Sequence, residues 1–181
     1  MDTNGESAAN ALSVGADPAL SRLVRAELLA TLHVRANLDP EQAERELAAR
    51  DMRAEFAQAF AGLGLAADNL PDLLAAHLIA MWTVVHDAPL PRREVATGLA
   101  KQFAGLVGGT AQAADPAKRQ LMGEALLYET VLSLEAQAMA RAAGDKAKLK
   151  EMARSAQDNT LAQRGINLRK TRLTTTGMAR A

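Results

Sequence analysis

At 181 residues the chain is long enough to bury one core and too short to need two, and its apolar content is aliphatic, with aromatic residues at only 3%. The absence of cysteine excludes disulfides, thiolate metal sites and cysteine nucleophiles. Net charge is zero, but residues 1–140 hold 11 Lys/Arg against 18 Asp/Glu while residues 141–181 hold 10 against 3, so the basic charge gathers at the C-terminal end.

Strong helix formers far outnumber the β-branched and aromatic residues that strands favour, and the chain reads as all-α. Residues 1–16, rich in Ser, Asn, Gly and Ala, read as a flexible N-terminal segment with the fold starting after it. Asp17-Pro18 then offers an N-cap and a first-turn proline, and Leu20, Leu23, Val24, Leu28 and Leu32 follow at helical spacing to about Leu38. Asp39-Pro40 repeats the device, with Gln42 placed for a capping box and Glu41/Arg45 and Glu46/Arg50 as i,i+4 pairs. Asp51 recaps the chain, because Met52, Phe56, Ala59 and Phe60 are out of register with Leu47, and Gly62 and Gly64 stop the segment.

Asn69 to Asp72 is another cap, ahead of the stripe Leu70, Leu73, Leu74, His77, Leu78, Met81, Trp82 and Val85. Ala75, Ala76, Ile79, Ala80 and Val84 make the opposite face apolar too, which predicts a central helix over about 70–86. Its apolar run, Leu73 to Val85, is well short of the roughly 20 residues that cross a bilayer. After Pro89 and Pro91, Val95, Leu99, Phe103, Leu106 and Val107 mark a fourth helix ended by Gly108-Gly109. Asp115-Pro116 caps a fifth to about Ala143, and Gly144-Asp145 separates it from a sixth that reaches Gly165. The expectation is a single-domain bundle of about six helices over 17–165, followed by a basic, threonine-rich tail over 166–181.

No catalytic, metal or cofactor site is legible. His33, His77 and His86 are the only histidines, and none has another His one turn away or a Glu three residues before it. The motifs G-x-S-x-G and S-x-x-K are absent, and Gly62-Leu63-Gly64 and Gly105 to Gly109 are helix punctuation, not phosphate loops.

His77 is the exception to a plain core, because an imidazole inside an apolar stripe needs a hydrogen-bond partner. Glu129 falls among Leu121, Met122, Ala125, Leu126, Leu132 and Ala136 on the wheel of the fifth helix, so it is the candidate. The two would form a buried or boundary pair with shifted pKa values, in a groove with Trp82 and Tyr128, serving a small ligand or acid/base chemistry. The plainer reading is a satisfied core histidine beside a boundary glutamate. Glu124, Tyr128 and Glu135 share another face, read as a contact surface or simply a solvated one.

Lys146, Lys150 and Arg154 lie along one face of the sixth helix, and Arg169, Lys170 and Arg172 lie in the tail. Together they could neutralise phosphates on nucleic acid or anionic lipid. The tail has no aromatic for base stacking and the rest of the domain is acidic, which speaks against nucleic acid. A tail that folds back on the domain or docks on a protein partner fits better.

Two stretches resemble a known family: Asp68-Asn69-Leu70-Pro71-Asp72-Leu73-Leu74-Ala75-Ala76-His77-Leu78 through Trp82 and His86, and Arg164-Gly165-Ile166-Asn167-Leu168 leading to Leu173-Thr174 and Gly177-Met178. Together they are similar to a family of small bacterial α-helical proteins, a domain of unknown function whose members often carry export signals. The resemblance implies a helical fold and an envelope location, and it transfers no catalytic residue. Met1 to Glu6 has no basic-then-apolar run, so the expected location is periplasmic if a signal peptide was removed and cytoplasmic otherwise. The leading expectation is a non-enzymatic bacterial interaction or accessory protein whose partner is another protein or a second copy. Small-ligand binding or catalysis around His77 and Glu129, and polyanion binding through the basic end, are the alternatives.

Overall fold

The computed structural model describes residues 12–36 and 39–181, with the backbone alone for 32–36; the side chains of Leu32 and His33, and most of the segment read as a flexible N-terminus, lie outside the described residues. Eight α-helices are described: α1 Pro18–Ala36, α2 Pro40–Ala49, α3 Met52–Ala59, α4 Leu70–His86, α5 Arg93–Val107, α6 Ala111–Ala114, α7 Pro116–Ala142 and α8 Lys146–Arg164. A 3-10 turn, Leu168–Lys170, leads into an antiparallel hairpin of β1 (Thr171–Thr174) and β2 (Gly177–Arg180).

Local chemistry sets the helix ends. The side chains of Asp39, Asp51, Asn69 and Asp115 each accept a first-turn backbone N–H, as their sequence contexts predict, and Asp145 does the same at the start of α8. Thr110 does the same for the short α6, which the sequence reading passed over. The capping box at Gln42 does not form: its amide donates to Glu46 Oε1 at 2.8 Å instead. Glu41 and Arg45 do pair, at 3.8 Å. Arg50 bypasses Glu46 for Glu55 and Glu135, because the break at Asp51 turns it toward α3 and α7.

α4 is the axis of the fold. Thirteen of its seventeen residues are buried, and it packs against α5, α7 and α8, so both of its faces are covered as the all-round apolar pattern requires. Leu70, Leu73 and Ile79 are fully buried, each contributing about 1.5–3 kcal/mol through removal of apolar surface from water.

Two segments placed outside the helical domain belong to it. Residues 12–16 pair with the approach to α4: Val14 N–H donates to Asp68 O at 2.7 Å and Leu70 N–H to Leu12 O at 3.0 Å. The buried Val14 side chain sits against Gly123 of α7, where a Cβ would come within 2.8 Å of it. The C-terminal tail is likewise part of the core: Leu168 is fully buried and the hairpin lies on α5. Gly98 of α5 makes that approach possible, since a Cβ there would meet the Thr175 carbonyl oxygen at 2.1 Å. The helical domain therefore extends in both directions beyond 17–165.

Candidate functional site

α4 carries His77 into the interior at a point where α7 and α8 do not close over it. The ring is 7% exposed, with Nδ1 3.4 Å from Thr130 Oγ1 and 3.8 Å from Glu129 Oε2. The first distance is a long hydrogen bond and the second is beyond one. Burial, aided by the positive charge of Arg164, pushes the imidazole down to about 3, so it is neutral at pH 7. Burial also pushes the Glu129 carboxyl up, opposed by Arg164. An ion pair would move both groups the other way, so the two meet as a neutral ring beside a carboxyl group.

Both line a cleft of about 380 Å³ with walls from α1, α4, α7 and α8. Leu28, Met81, Leu132, Ala136, Met152 and Ala156 supply its apolar surface. Thr31, Ser133, Asn159, Gln163 and Arg164 join His77 and Glu129 as its polar groups. Arg164 was not singled out from sequence, because it stands at the last residue of α8 and only the return of α8 beside α7 brings it to Glu129.

Trp82 and Tyr128 do not line this cleft. Trp82 stacks on His86 with ring centroids 4.4 Å apart, and its Nε1–H donates to Thr171 O at 3.0 Å. His86 Nε2 lies 3.1 Å from Leu168 O and must donate to that carbonyl. The two stretches that carry the family resemblance are thus in contact, α4 holding the 3-10 turn and β1. Tyr128 faces the other side of α7, beside Arg25.

There the structure holds a polar cluster on the face that the sequence reads as a contact surface or a solvated one. The Glu124 carboxylate is 5% exposed and accepts from Ser21 Oγ at 2.8 Å and Gln120 Nε2 at 2.9 Å, with Arg53 at 4.0 Å. Gln120, Glu124 and Tyr128 recur every four residues, a polar stripe that could have been read as a second buried seam had the position of α1 been known. The groups here are bonded to one another, which marks a structural network. A larger groove of about 710 Å³ beside α5 is bonded in part: Arg119 donates to Ser13 O and Ala113 O and Asp72 accepts from Ala66 N–H, while Thr97 and Lys101 line it without a side-chain bond to the described residues.

Lys146, Lys150 and Arg154 on α8, Arg169 and Lys170 on the 3-10 turn and Arg172 on β1 are all exposed. Arg169 N–H donates to Gln157 Oε1 at 3.0 Å, which ties the turn to α8. None of the six forms an ion pair among the described residues. No group of metal-ligating side chains occurs among the described residues, and no described helix is long and apolar enough to cross a membrane.

Comparison with protein-family models, with curated proteins and with solved structures gives no match. What the chain does has to be argued from the cleft and the surface themselves.

Proposed function

We propose that this chain is a helical binding protein that holds a small molecule in the cleft between α1, α4, α7 and α8. The observation that carries the reading is the convergence of His77, Glu129 and Arg164 on a cleft whose remaining walls are largely apolar. A filled core would have left no room for a ligand, and a groove with all its polar groups bonded to each other would have had no need of one. The reading is binding before turnover, since the hydroxyl that meets the neutral His77 ring, Thr130 Oγ1 at 3.4 Å, is fully buried away from the cleft's solvent and Glu129 is too far from the ring for proton transfer without a bridging group.

A fragment screen followed by ¹H–¹⁵N spectra tests this. Hits should shift resonances of residues 77, 129, 133 and 160, and Ala136→Trp, which places a ring over the cleft from an exposed position, should abolish them. Hits that persist in Ala136→Trp, or an absence of hits at the cleft, would remove the reading.

A second reading is favoured by the unpaired basic surface: a bacterial accessory protein that docks a protein partner, a second copy included, through α8 and the hairpin. Replacing Lys146, Lys150 and Arg154 with Ala should then weaken co-purification of a native partner. Binding to duplex DNA or anionic vesicles that falls steeply with salt would point to a polyanion instead.

A further inference from the structure

The arrangement of charge in the cleft narrows the ligand, on the premise that the cleft binds one. α7 turns back into α8 at Ala143–Asp145, so the cleft walls they share run antiparallel. Ala136 and Met152 lie toward the turn, Glu129 and Arg164 far from it. The cleft is therefore apolar at one end and charged at the other.

The two charges at that end are near enough for Arg164 to oppose the upward shift of Glu129, but they make no direct contact. Glu129 and Arg164 both line the cleft, yet they form no ion pair with each other, and Arg164 forms none with any described residue. His77 sits 3.8 Å from Glu129 as an uncharged ring. A neutral ligand leaves both charges without counter-ions. A ligand carboxylate answers Arg164 but adds a second anion beside Glu129, and a ligand ammonium does the reverse. One class of molecule serves both.

We propose that the cleft takes a small zwitterion with an apolar side chain, such as an apolar amino acid, its ammonium on Glu129, its carboxylate on Arg164 and its side chain against Met81, Leu132 and Met152. The amides of Asn159 and Gln163, five residues and one residue before Arg164 on α8, line the same part of the cleft and can donate to the carboxylate. A volume of about 380 Å³ suits a metabolite of this size, lying near the small end of the roughly 300–1,000 Å³ range of ligand pockets.

The test is a charge matrix on one side chain: L-leucine, N-acetyl-leucine, leucinamide and N-acetyl-leucinamide, titrated at pH 7 into the wild-type chain and followed by cleft resonances and calorimetry. Leucine should bind about tenfold more tightly than each capped form, the size of one lost charge-assisted hydrogen bond. Glu129→Gln should erase its advantage over N-acetyl-leucine, and Arg164→Gln its advantage over leucinamide. Both positions are exposed, so the variants should keep the fold, which unchanged thermal unfolding would verify. If a capped form binds as tightly as leucine, the zwitterion is wrong and the binding cleft stands. If none of the four moves the cleft resonances, this proposal is overturned, and the Ala136→Trp fragment screen decides the cleft separately.

Discussion

α4 presents one histidine to each of two regions, and the regions treat them oppositely. His86 lies near solvent, yet it is stacked on Trp82 and bonded to Leu168 O, in a corner where α4, α5, the 3-10 turn and the hairpin fit together. His77 is deep in the fold, yet its best partner is 3.4 Å away and open space lies beside it. Burial alone does not tell a structural group from a functional one. Whether the polar atoms of a region are spent on each other is the better guide, because an interior polar group without a good partner costs free energy that a ligand can return.

The largest effect should come from the filled corner. Leu168→Ala empties a fully buried site under the hairpin and should cost about 2–5 kcal/mol in urea unfolding; a loss below 1 kcal/mol would mean that the corner is not packed as described.

His77 should give the next largest effect, and only in acid. Its pKa is about 3 when folded against an ordinary value near 6.5, so below pH 6.5 the unfolded chain binds a proton that the native ring refuses. Stability should be present in full above that pH and fall progressively toward pH 3, by a few kcal/mol on the order of the shift. His77→Met should flatten this part of the profile, and Arg164→Gln should raise the His77 titration seen by NMR. A wild-type profile as flat as that of His77→Met would contradict a buried neutral imidazole.

Gly98→Ala should push the hairpin off α5 at a cost of about 1–3 kcal/mol, because the obstructing atom is a backbone oxygen and cannot rotate away. The emission of Trp82, the one tryptophan, should shift to the red at the same time. Trp82→Phe keeps an aromatic ring, smaller than the indole, and removes the donor to Thr171 O, so at least about 1 kcal/mol is expected in the same assay. Smallest is the triple replacement of Lys146, Lys150 and Arg154 by Ala. Exposed and unpaired, these residues should alter thermal unfolding by within about 0.5 kcal/mol whatever they do to partner binding.

The candidate site was half legible. His77 stood out because a ring nitrogen in an apolar stripe demands a partner, and Glu129 because a carboxylate interrupted an apolar arc. Both signals are local, and the structure brings the two residues together. Trp82 is on the helix of His77 and Tyr128 on that of Glu129, but Trp82 faces the 3-10 turn and β1 and Tyr128 faces Arg25. The wheel of α7 placed Tyr128 and Glu124 outside, since a wheel ranks faces by polarity and cannot know that α1 covers the polar one. The hairpin escaped notice because its two strands of four residues carry too little alternation to be told from a tail, and the feature that seats it, Gly98, lies on another element.

By itself the sequence determined the helices, their capped ends and the central place of α4, because propensity, capping and apolar periodicity act over a turn or two of chain. Only the tertiary structure decided that a cleft remains beside His77, that Arg164 and Glu129 share it without pairing, and that residues 166–181 close the core. Those facts depend on which faces meet across long separations in the chain, and that is settled by packing the whole molecule at once.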